Sequence, residues 1–304
     1  MNYYNEIKNR LIDNEIYQKV KDYSKERNKV ITYFEIGKLL NDAGGKYGDK
    51  IIDEYSKKLM LDVGKKYNVR TLRRIRQFYI LFKDEKWSPP ATTLTWSHYT
   101  ELLPIKDMNK IKYYIDQCIK YNLSKRNLRK KIKLNEYERL DNKTKEKLIE
   151  NNNNEIEDFI KHPILIKNTN NYENISEKTL QKLILEDIPS FLKELGEGFT
   201  FIDNEYKIKI GDNYNYIDLL LFNYIYNCFV IVELKTTELK KEHIGQIQVY
   251  MNYVDKHIKT INQNKTIGII ICKKENKFVL EYCSDSRIYE TTYMIVNQNN
   301  KEYI

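Results

Sequence analysis

The sequence predicts an α+β protein in which an all-α N-terminal domain is followed by an α/β domain built on a mixed sheet. Two observations predict this fold class. Apolar residues in the first half recur at three- and four-residue spacing, which is the period of an amphipathic helix. The second half contains short segments rich in Ile, Val, Phe and Tyr, which favour strands. We expect a helical domain over 1–150, a polar linker and loop over 151–174, and the α/β domain over 175–304.

The helical half contains two segments that resemble each other. "YNVRTLRRIRQFY" and "YNLSKRNLRKKIK" share Tyr-Asn followed by Arg-x-Leu-Arg and a further basic residue. Each segment is predicted to bury an apolar stripe and to point basic side chains the other way. The stripes consist of Leu72, Ile75 and Tyr79 in the first segment and of Leu128 and Ile132 in the second.

Charge separates the two halves. The net charge of +9 combines residues 1–135, with 30 Lys and Arg against 16 Asp and Glu, and residues 136–304, with 22 against 27. A basic half indicates contact with a polyanion such as DNA. The alternative is a solvated face that keeps the protein soluble. The candidate nucleic-acid-binding residues are Arg70, Arg73, Arg74, Arg76, Arg126, Arg129 and Lys130.

The linker is placed at four consecutive asparagines, Asn151 to Asn154, because this run neither favours a helix interior nor supplies a hydrophobic face. A second polar patch, "KNTNNYEN", is read as a loop of the second domain. After a helical stretch that begins near Ser176, the strand-like segments are "FTFI", "YKIKI", "YIDLLLF", "CFVIVELK", "TIGIIIC" and "KFVLEY", with the helix-like "HIGQIQVYMNYVDKHI" after the fourth. This order predicts a mixed sheet with helices on its faces.

Two features indicate a soluble cytoplasmic protein. The chain contains no uncharged apolar run of membrane-spanning length and starts without a signal-like segment. Its four cysteines show neither CxxC pairing nor histidines at zinc-finger spacing, so we expect buried free thiols. The cysteines are Cys118, Cys228, Cys272 and Cys283.

Carboxylates in the apolar strands are the strongest functional signal. If "YIDLLLFN" and "CFVIVELK" form a hairpin that turns around Ile225 and Tyr226, the numbers of facing residues sum to 451. Asp218 would then face Glu233, with Lys235 on the same side of the sheet. Two opposed carboxylates repel each other unless a proton or a cation lies between them.

A divalent metal would neutralise this pair, since hard carboxylate oxygens are the ligands that Mg²⁺ or Mn²⁺ prefers. Such an ion beside a lysine is equipped for phosphodiester hydrolysis, because it lowers the pKa of bound water and offsets developing charge. The alternative is a structural ion pair of Asp218 with Lys235 beside a protonated Glu233.

Asp218 and the later Glu233-Leu234-Lys235 resemble the signature of the PD-(D/E)XK nucleases. Gln246-x-x-x-Tyr250 on the next helix resembles the motif that follows the core strands in several members. The segments "YIDLLLFN", "VIVELKTTELKKEHIGQIQVYMNYVD" and "TIGIIICKKENKFVLEY" are similar to the C-terminal domain of the YhcG-type nuclease family. The segments "YFEIGKLL", "RTLRRIRQFY" and "LTWSHYTELLPIKD" are similar to its helical N-terminal domain.

This resemblance implies a metal-dependent nuclease of prokaryotic origin, with DNA as substrate and a link to restriction, defence or DNA processing. Asp218 and Glu233 would hold the metal, Lys235 would position water or stabilise the phosphorus, and Gln246 would orient the site. Tyr250 is expected to pack beneath it.

Members often add a glutamate from the preceding helix. The candidates are Glu177, Glu186 and Glu194, of which we prefer Glu177 because it opens the helix. The proline of the signature is absent, since Ile217 precedes Asp218. The alternatives that remain are a nucleic-acid-binding or assembly module with an idle nuclease fold, and RNA as substrate. Self-association and association with restriction-modification proteins are also left open.

Overall fold

The chain folds into two units, residues 1–137 and 138–304. The structure is a computed structural model that describes residues 3–19, 25–47, 50–84, 94–150, 158 and 160–297. Asn151 to Asn154, where the sequence predicts a linker, lie outside the described residues. Residues 138–150, which we grouped with the helical domain, belong to the second unit, where the Thr144 hydroxyl donates a hydrogen bond to Asp158 at 3.0 Å.

The first unit is helical throughout its described residues, as the apolar periodicity predicts. Side-chain caps set the starts of three helices, because Asn68, Asp107 and Ser124 each accept a backbone N–H from the first turn that follows. The helices are α1 (Tyr3–Lys19), α2 (Lys25–Tyr47), α3 (Lys50–Asp62), α4 (Val69–Phe82), α5 (Trp96–Leu102), α6 (Met108–Tyr121) and α7 (Lys125–Lys133).

The two similar basic segments form α4 and α7, so the prediction of helices there is confirmed. Leu72, Ile75 and Leu128 are fully buried. Tyr79 and Ile132, at the ends of the expected stripes, are half-buried. Helix α4 packs on α2, and α7 packs on α5 and α6.

The second unit contains a six-stranded mixed sheet of order β1-β6-β5-β4-β3-β2. The pairs β2/β3 and β3/β4 are antiparallel, and the pairs β4/β5, β5/β6 and β1/β6 are parallel. The elements are α8 (Asn142–Glu150), β1 (Ile164–Asn168), α9 (Glu177–Glu186), α10 (Ile188–Leu195), β2 (Phe199–Ile210), β3 (Asn213–Asn223), β4 (Cys228–Glu238), α11 (Lys241–His257), β5 (Ile267–Lys274), α12 (Lys277–Glu281) and β6 (Ile288–Asn297). This architecture confirms the predicted fold class.

Helices cover both faces of the sheet. On one face, Val232 and Leu234 of β4 pack in a core with Leu180 of α9. On the other face, Ile231 of β4 packs in a core with Ile247 of α11. Because β4 is covered on both sides, its sequence is a continuous apolar run rather than an alternating one.

One strand lies in the range that we predicted as a linker and loop. Residues Ile164–Asn168 form β1, so the loop prediction is wrong for these five residues. Ile164 and Ile166 enter the core beneath α9 and α10, and β1 pairs along its whole length with β6. Alternate residues of β1 are buried, and the strand includes the first two residues of the polar patch, Lys167 and Asn168.

The prediction of a strand at "KFVLEY" is also wrong. Residues Lys277–Glu281 form the short helix α12, which Asn276 caps by accepting the backbone N–H of Val279. The last strand of the sheet is instead β6, at Ile288–Asn297, which the sequence analysis did not identify. The expected separate strands "FTFI" and "YKIKI" are one strand, β2, with a register shift between Phe201 and Asp203.

All four cysteines are free thiols, as predicted. Three of them are buried and Cys283 is half-buried. Burial raises the pKa of Cys118 and of Cys228 to about 11, so both stay protonated at neutral pH. No helix in the described ranges has the length and apolar character needed to cross a bilayer.

Candidate active site at the β3–β4 hairpin

The hairpin of β3 and β4 has the predicted register. Backbone partners run from Leu219 with Val232 to Asn223 with Cys228, and the numbers in each pair sum to 451. The Asn223 side chain closes the turn by accepting the backbone N–H groups of Ile225 and Tyr226 at 3.0 and 3.1 Å. This Asx-type turn fixes the register with residues that are otherwise poor turn formers.

The backbone pairing stops one residue before the expected carboxylate pair. The Asp218 carboxylate accepts the backbone N–H of Leu234 at 2.8 Å, which places a side chain where the ladder would otherwise continue. Ile217 and Leu220 both pack in the core under α11, although strict alternation would place them on opposite faces of the sheet. The alternation of β3 therefore breaks at Asp218. The expected backbone opposition of Asp218 and Glu233 is therefore absent, although the two carboxyl groups interact electrostatically.

Glu233 lies in the centre of the sheet and is 1% exposed. Its Oε2 accepts a hydrogen bond from Lys235 Nζ at 3.2 Å, whereas its Oε1 is buried without a hydrogen-bond partner. Burial, together with the nearby charge of Asp218, raises the pKa of Glu233 to about 8. An unpaired buried carboxylate oxygen is costly, so this atom marks a position where a cation would stabilise the fold.

Lys235 and Asp218 complete the charged group. Burial lowers the pKa of Lys235, but the surrounding carboxylates of Glu233, Asp218 and Glu177 outweigh it and raise the pKa overall. Burial raises the pKa of Asp218, and the Leu234 N–H and Lys235 offset only part of that effect. Leu234 points to the opposite face of the sheet, where it packs in the core with α9.

The three candidate glutamates of the preceding helices differ in their surroundings. Glu177 begins α9, accepts the Thr236 backbone N–H at 3.5 Å and interacts electrostatically with Asp218 and Lys235. Glu186 accepts hydrogen bonds from Thr169 and Asn170. Glu194 forms an ion pair with Arg139 and accepts the Leu165 N–H at 3.2 Å. This geometry favours Glu177 as the third carboxylate, and its role stays a prediction.

Helix α11 brings an amide and a phenol to the same place. Gln246 Nε2 donates a hydrogen bond to the Tyr250 hydroxyl at 3.1 Å. The Tyr250 ring packs in the core under α11, while its hydroxyl interacts electrostatically with Glu233, Lys235 and Asp218. Burial raises the pKa of Tyr250, and this residue therefore stays a neutral donor at the edge of the charged group.

His243 is a neighbour of the site that the sequence analysis did not identify. It lies one turn before Gln246, and its Nδ1 accepts the Lys240 backbone N–H at 3.2 Å. Burial and the charge of Lys235 lower its pKa, so the ring is neutral at physiological pH. The signal in the sequence was its spacing, because His243, Gln246 and Tyr250 recur at three and four residues and share one helix face.

The residues fit a divalent cation through two carboxylates. Asp218 and Glu233 offer hard oxygen ligands, both have raised pKa values, and Glu233 Oε1 lacks a partner. No group of three or more His, Cys, Asp or Glu side chains in the described part of the chain is arranged to hold a metal ion. A bound ion would therefore need further oxygens from water or substrate, as Mg²⁺ usually does.

The basic candidates of the first unit divide into exposed and half-buried groups. Arg73 forms an ion pair with Asp53 at 3.4 Å, and Arg129 forms a bidentate pair with Glu101 at 2.9 and 2.7 Å. The exposed candidates are Arg70, Arg73, Arg126, Arg129 and Lys130, and the half-buried ones are Arg74 and Arg76. The exposed candidates on α4 and α7 are therefore accessible to a polyanion.

Two family models match the chain. The model described as the YhcG PDDEXK nuclease domain matches residues 157–303, and the model described as the DUF1016 N-terminal domain matches residues 9–139. Among curated proteins, the chain is similar to "Putative nuclease YhcG" of Escherichia coli (strain K12). The two are 24% identical over 286 residues, which is 80% of this chain and 76% of that protein.

Two solved structures show weaker similarity. A repair endonuclease from Pyrococcus abyssi matches with a TM-score of 0.29 and 20% identity, over 41% of this chain and 49% of that one. An EndoMS–dsDNA complex matches with a TM-score of 0.27 and 17% identity, over 44% of this chain and 51% of that one. The matched region thus spans about half the length of each of these structures.

Proposed function

Because the chain belongs to the YhcG-type PD-(D/E)XK nuclease family, we propose that it is a divalent-metal-dependent endonuclease that hydrolyses phosphodiester bonds in DNA. Its setting would be restriction, defence or DNA processing in a prokaryotic cytoplasm. The metal is Mg²⁺ or Mn²⁺.

The observation that carries this proposal is the buried oxygen Glu233 Oε1, which has no hydrogen-bond partner among the described residues and lies near the carboxylate of Asp218. A purely structural ion pair would satisfy both oxygens, since leaving one unsatisfied costs about 1–3 kcal/mol. An unfavourable free energy of this size at the centre of a sheet supports a functional role for Glu233 rather than a structural one.

The residues have distinct roles in this proposal. Asp218 and Glu233 would hold the divalent ion, and the Leu234 N–H keeps the Asp218 carboxylate in place. When bound, such an ion polarises phosphoryl oxygens and acidifies water. Lys235, kept protonated by three carboxylates, would donate hydrogen bonds to the charge that develops on the phosphate. Gln246 would orient water or a phosphate oxygen through its amide, and Glu177 would add a third carboxylate.

Cleavage assays with single variants test the active site. Wild-type protein should cut plasmid or linear DNA with Mg²⁺ or Mn²⁺, and Asp218→Ala or Glu233→Ala should lose about 10²–10³-fold or more in rate. Glu177→Ala should also slow cleavage, whereas Glu186→Ala is the matched control. Both glutamates are exposed on α9, but Glu186 lies at the other end of the helix, where it accepts hydrogen bonds from Thr169 and Asn170.

Three outcomes would contradict parts of this proposal. Equal cleavage by wild type and the Asp218→Ala and Glu233→Ala variants would indicate a contaminating nuclease and overturn the site. DNA binding without cleavage under any divalent metal would favour the binding or assembly module. Cleavage of single-stranded RNA but not DNA, in a parallel series with single-stranded, duplex and branched DNA, would reassign the substrate.

A further inference from the structure

A cavity lies beside the candidate active site, between the tip of the β2–β3 hairpin and helix α11. Its volume is about 510 Å³, within the range typical of small-molecule sites. Its lining residues are Ile210, Asn213, Asn215, Gly245, Gln246, Val249 and Tyr250. Two of these, Gln246 and Tyr250, also border the charged group of Asp218, Glu233 and Lys235, so the cavity adjoins the position of the reacting phosphate.

The hairpin holds its side of the cavity in a defined orientation. The tight turn pairs Ile210 with Asn213, and Gly211 takes the left-handed conformation that this turn requires, with φ of 60°. Asn215 faces Ile208, which is buried in the core under α11. Because directly opposed residues share a face, the side chains of Asn213 and Asn215 lie on the α11 side of the hairpin.

The helix leaves its side of the cavity open. Gly245 lies inside α11, and a Cβ added there would meet no atom within 4 Å. Val249, one turn later, is 47% exposed although it is apolar. The missing side chain at Gly245 and the exposed one at Val249 leave an open space flanked by apolar surface.

The lining chemistry suits an uncharged ligand better than a phosphate. None of the seven lining residues carries a formal charge, and three of them, Asn213, Asn215 and Gln246, present amide groups. Amides match the donor and acceptor edges of nucleobases, and the apolar and aromatic walls match their flat faces. The adjacent charged group of Asp218, Glu233 and Lys235 suits the phosphate, and this neutral cavity suits the base of the same nucleotide.

We propose that this cavity is a nucleobase pocket, which receives the unpaired base of a nucleotide next to the scissile phosphate. This inference rests on the proposed nuclease function and adds the recognition of one base to it. A base inside a duplex cannot enter without being extruded, which costs a few kcal/mol. The protein should therefore prefer single-stranded or locally unpaired nucleic acid at this position.

Substitution of Gly245 tests the pocket without altering the candidate catalytic residues. Gly245→Leu would place a branched side chain in the cavity, while Gly245→Ala adds one methyl group and should raise the unfolding midpoint, because alanine favours a helix interior more than glycine. Asn252→Leu is the matched control, since it adds the same side chain at an exposed position of α11 that does not line the cavity. Circular dichroism of all three variants checks that they are folded.

Binding is measured by fluorescence anisotropy in EDTA, with a labelled single-stranded oligonucleotide that carries 2-aminopurine at successive positions. Gly245→Leu should weaken binding about tenfold, as expected for the loss of one base contact, and should abolish the position-specific change of 2-aminopurine fluorescence. Gly245→Ala and Asn252→Leu should bind within about twofold of wild type. Unchanged affinity and fluorescence in Gly245→Leu, or no binding by wild type, would overturn the pocket.

A separate assay distinguishes a failure of the pocket proposal from a failure of the proposed nuclease function. A small activated phosphodiester without a base, bis(p-nitrophenyl) phosphate, should be hydrolysed equally by wild type and Gly245→Leu with Mn²⁺, whereas Gly245→Leu should cut DNA more slowly. Failure of wild type to hydrolyse either substrate would contradict the nuclease function. The binding experiment would still decide the pocket, because it requires no cleavage.

Discussion

Two buried ion pairs in the second unit have similar composition and different surroundings. Arg139 with Glu194 has side-chain exposures of 8% and 13%, and Lys235 with Glu233 has exposures of 11% and 2%. Arg139 also donates to the Pro163 carbonyl at 2.9 Å, and Glu194 also accepts the Leu165 N–H. Glu233 Oε2 accepts a hydrogen bond from Lys235, whereas Glu233 Oε1 has no hydrogen-bond partner among the residues that the structure describes.

The difference in surroundings separates a fully hydrogen-bonded pair from the pair to which we assign a catalytic role. A buried charge is tolerated when its other hydrogen-bonding positions are filled, as they are around Glu194. Around Glu233 the protein leaves a position unfilled, and burial raises the pKa of this glutamate to about 8. The first pair holds β1 and α10 together, while the second leaves an oxygen that the proposed cation would bind.

Removal of Glu194 should have the largest effect on folding. Glu194→Ala removes the carboxylate that pairs with Arg139 and accepts the Leu165 N–H, and we expect a loss of about 3–5 kcal/mol in the free energy of unfolding of the second unit. Urea unfolding followed by circular dichroism measures this loss.

The exposed Glu186 provides the control for that experiment. Glu186→Ala removes a carboxylate that accepts hydrogen bonds from Thr169 and Asn170 at the surface, so the urea midpoint should change little. A Glu194→Ala protein as stable as Glu186→Ala would remove the contrast between the two buried pairs.

Divalent metal should stabilise the second unit in a pH-dependent way. The folded pKa of Glu233 is about 8, well above that of an ordinary glutamate, so its stabilising contribution is complete below the unfolded pKa and is lost as pH rises through 8. Metal binding requires the deprotonated carboxylate. At 100-fold excess over its Kd, Mg²⁺ should add about 2.7 kcal/mol, and the same Mg²⁺ concentration should add less at pH 6 than at pH 9.

Thermal unfolding with Mg²⁺ or EDTA at both pH values measures this linkage. The Asp218→Ala protein is the control, because it lacks one proposed ligand. A Mg²⁺ effect that is equal at both pH values, or equal in the variant, would show that the ion binds elsewhere.

Neutralisation of Asp218 should have a smaller effect of opposite sign. Burial raises the pKa of Asp218, so its charge opposes folding when no metal is bound. Asp218→Asn can still accept the Leu234 N–H, and we expect a gain on the order of 1 kcal/mol in metal-free stability together with loss of cleavage. Urea unfolding in EDTA measures the gain. A loss of stability would mean that the charge is already compensated.

Charge reversal on the first unit should change folding least and DNA binding most. Arg70→Glu, Arg126→Glu and Lys130→Glu alter exposed side chains of α4 and α7, so the urea midpoint should stay nearly constant. DNA affinity should fall, and the slope of log affinity against log salt should become shallower by about one per lost phosphate contact. Unchanged affinity and slope would support the alternative that these residues form a solvated face that keeps the protein soluble.

The predictable part of the fold depends on local periodicity. The helices α4 and α7, the register of the β3–β4 hairpin and the candidate residues Asp218, Glu233 and Lys235 could be read from spacing and apolar pattern alone. The strand β1 and the helix α12 could not, because Ile164–Asn168 is a strand by virtue of its pairing with a distant strand, and Asn276 caps a helix within an apolar run.

The sequence by itself determined the fold class, the division into a basic and a mildly acidic half, and the placement of two carboxylates and a lysine on neighbouring strands. Only the tertiary structure decided how these groups interact. The Asp218 carboxylate takes the Leu234 N–H, Glu233 Oε1 is left without a partner, and Glu177 rather than Glu186 or Glu194 approaches the site. The physical reason is that spacing fixes which face a residue occupies, whereas burial and hydrogen-bond partners depend on elements that are distant in the chain.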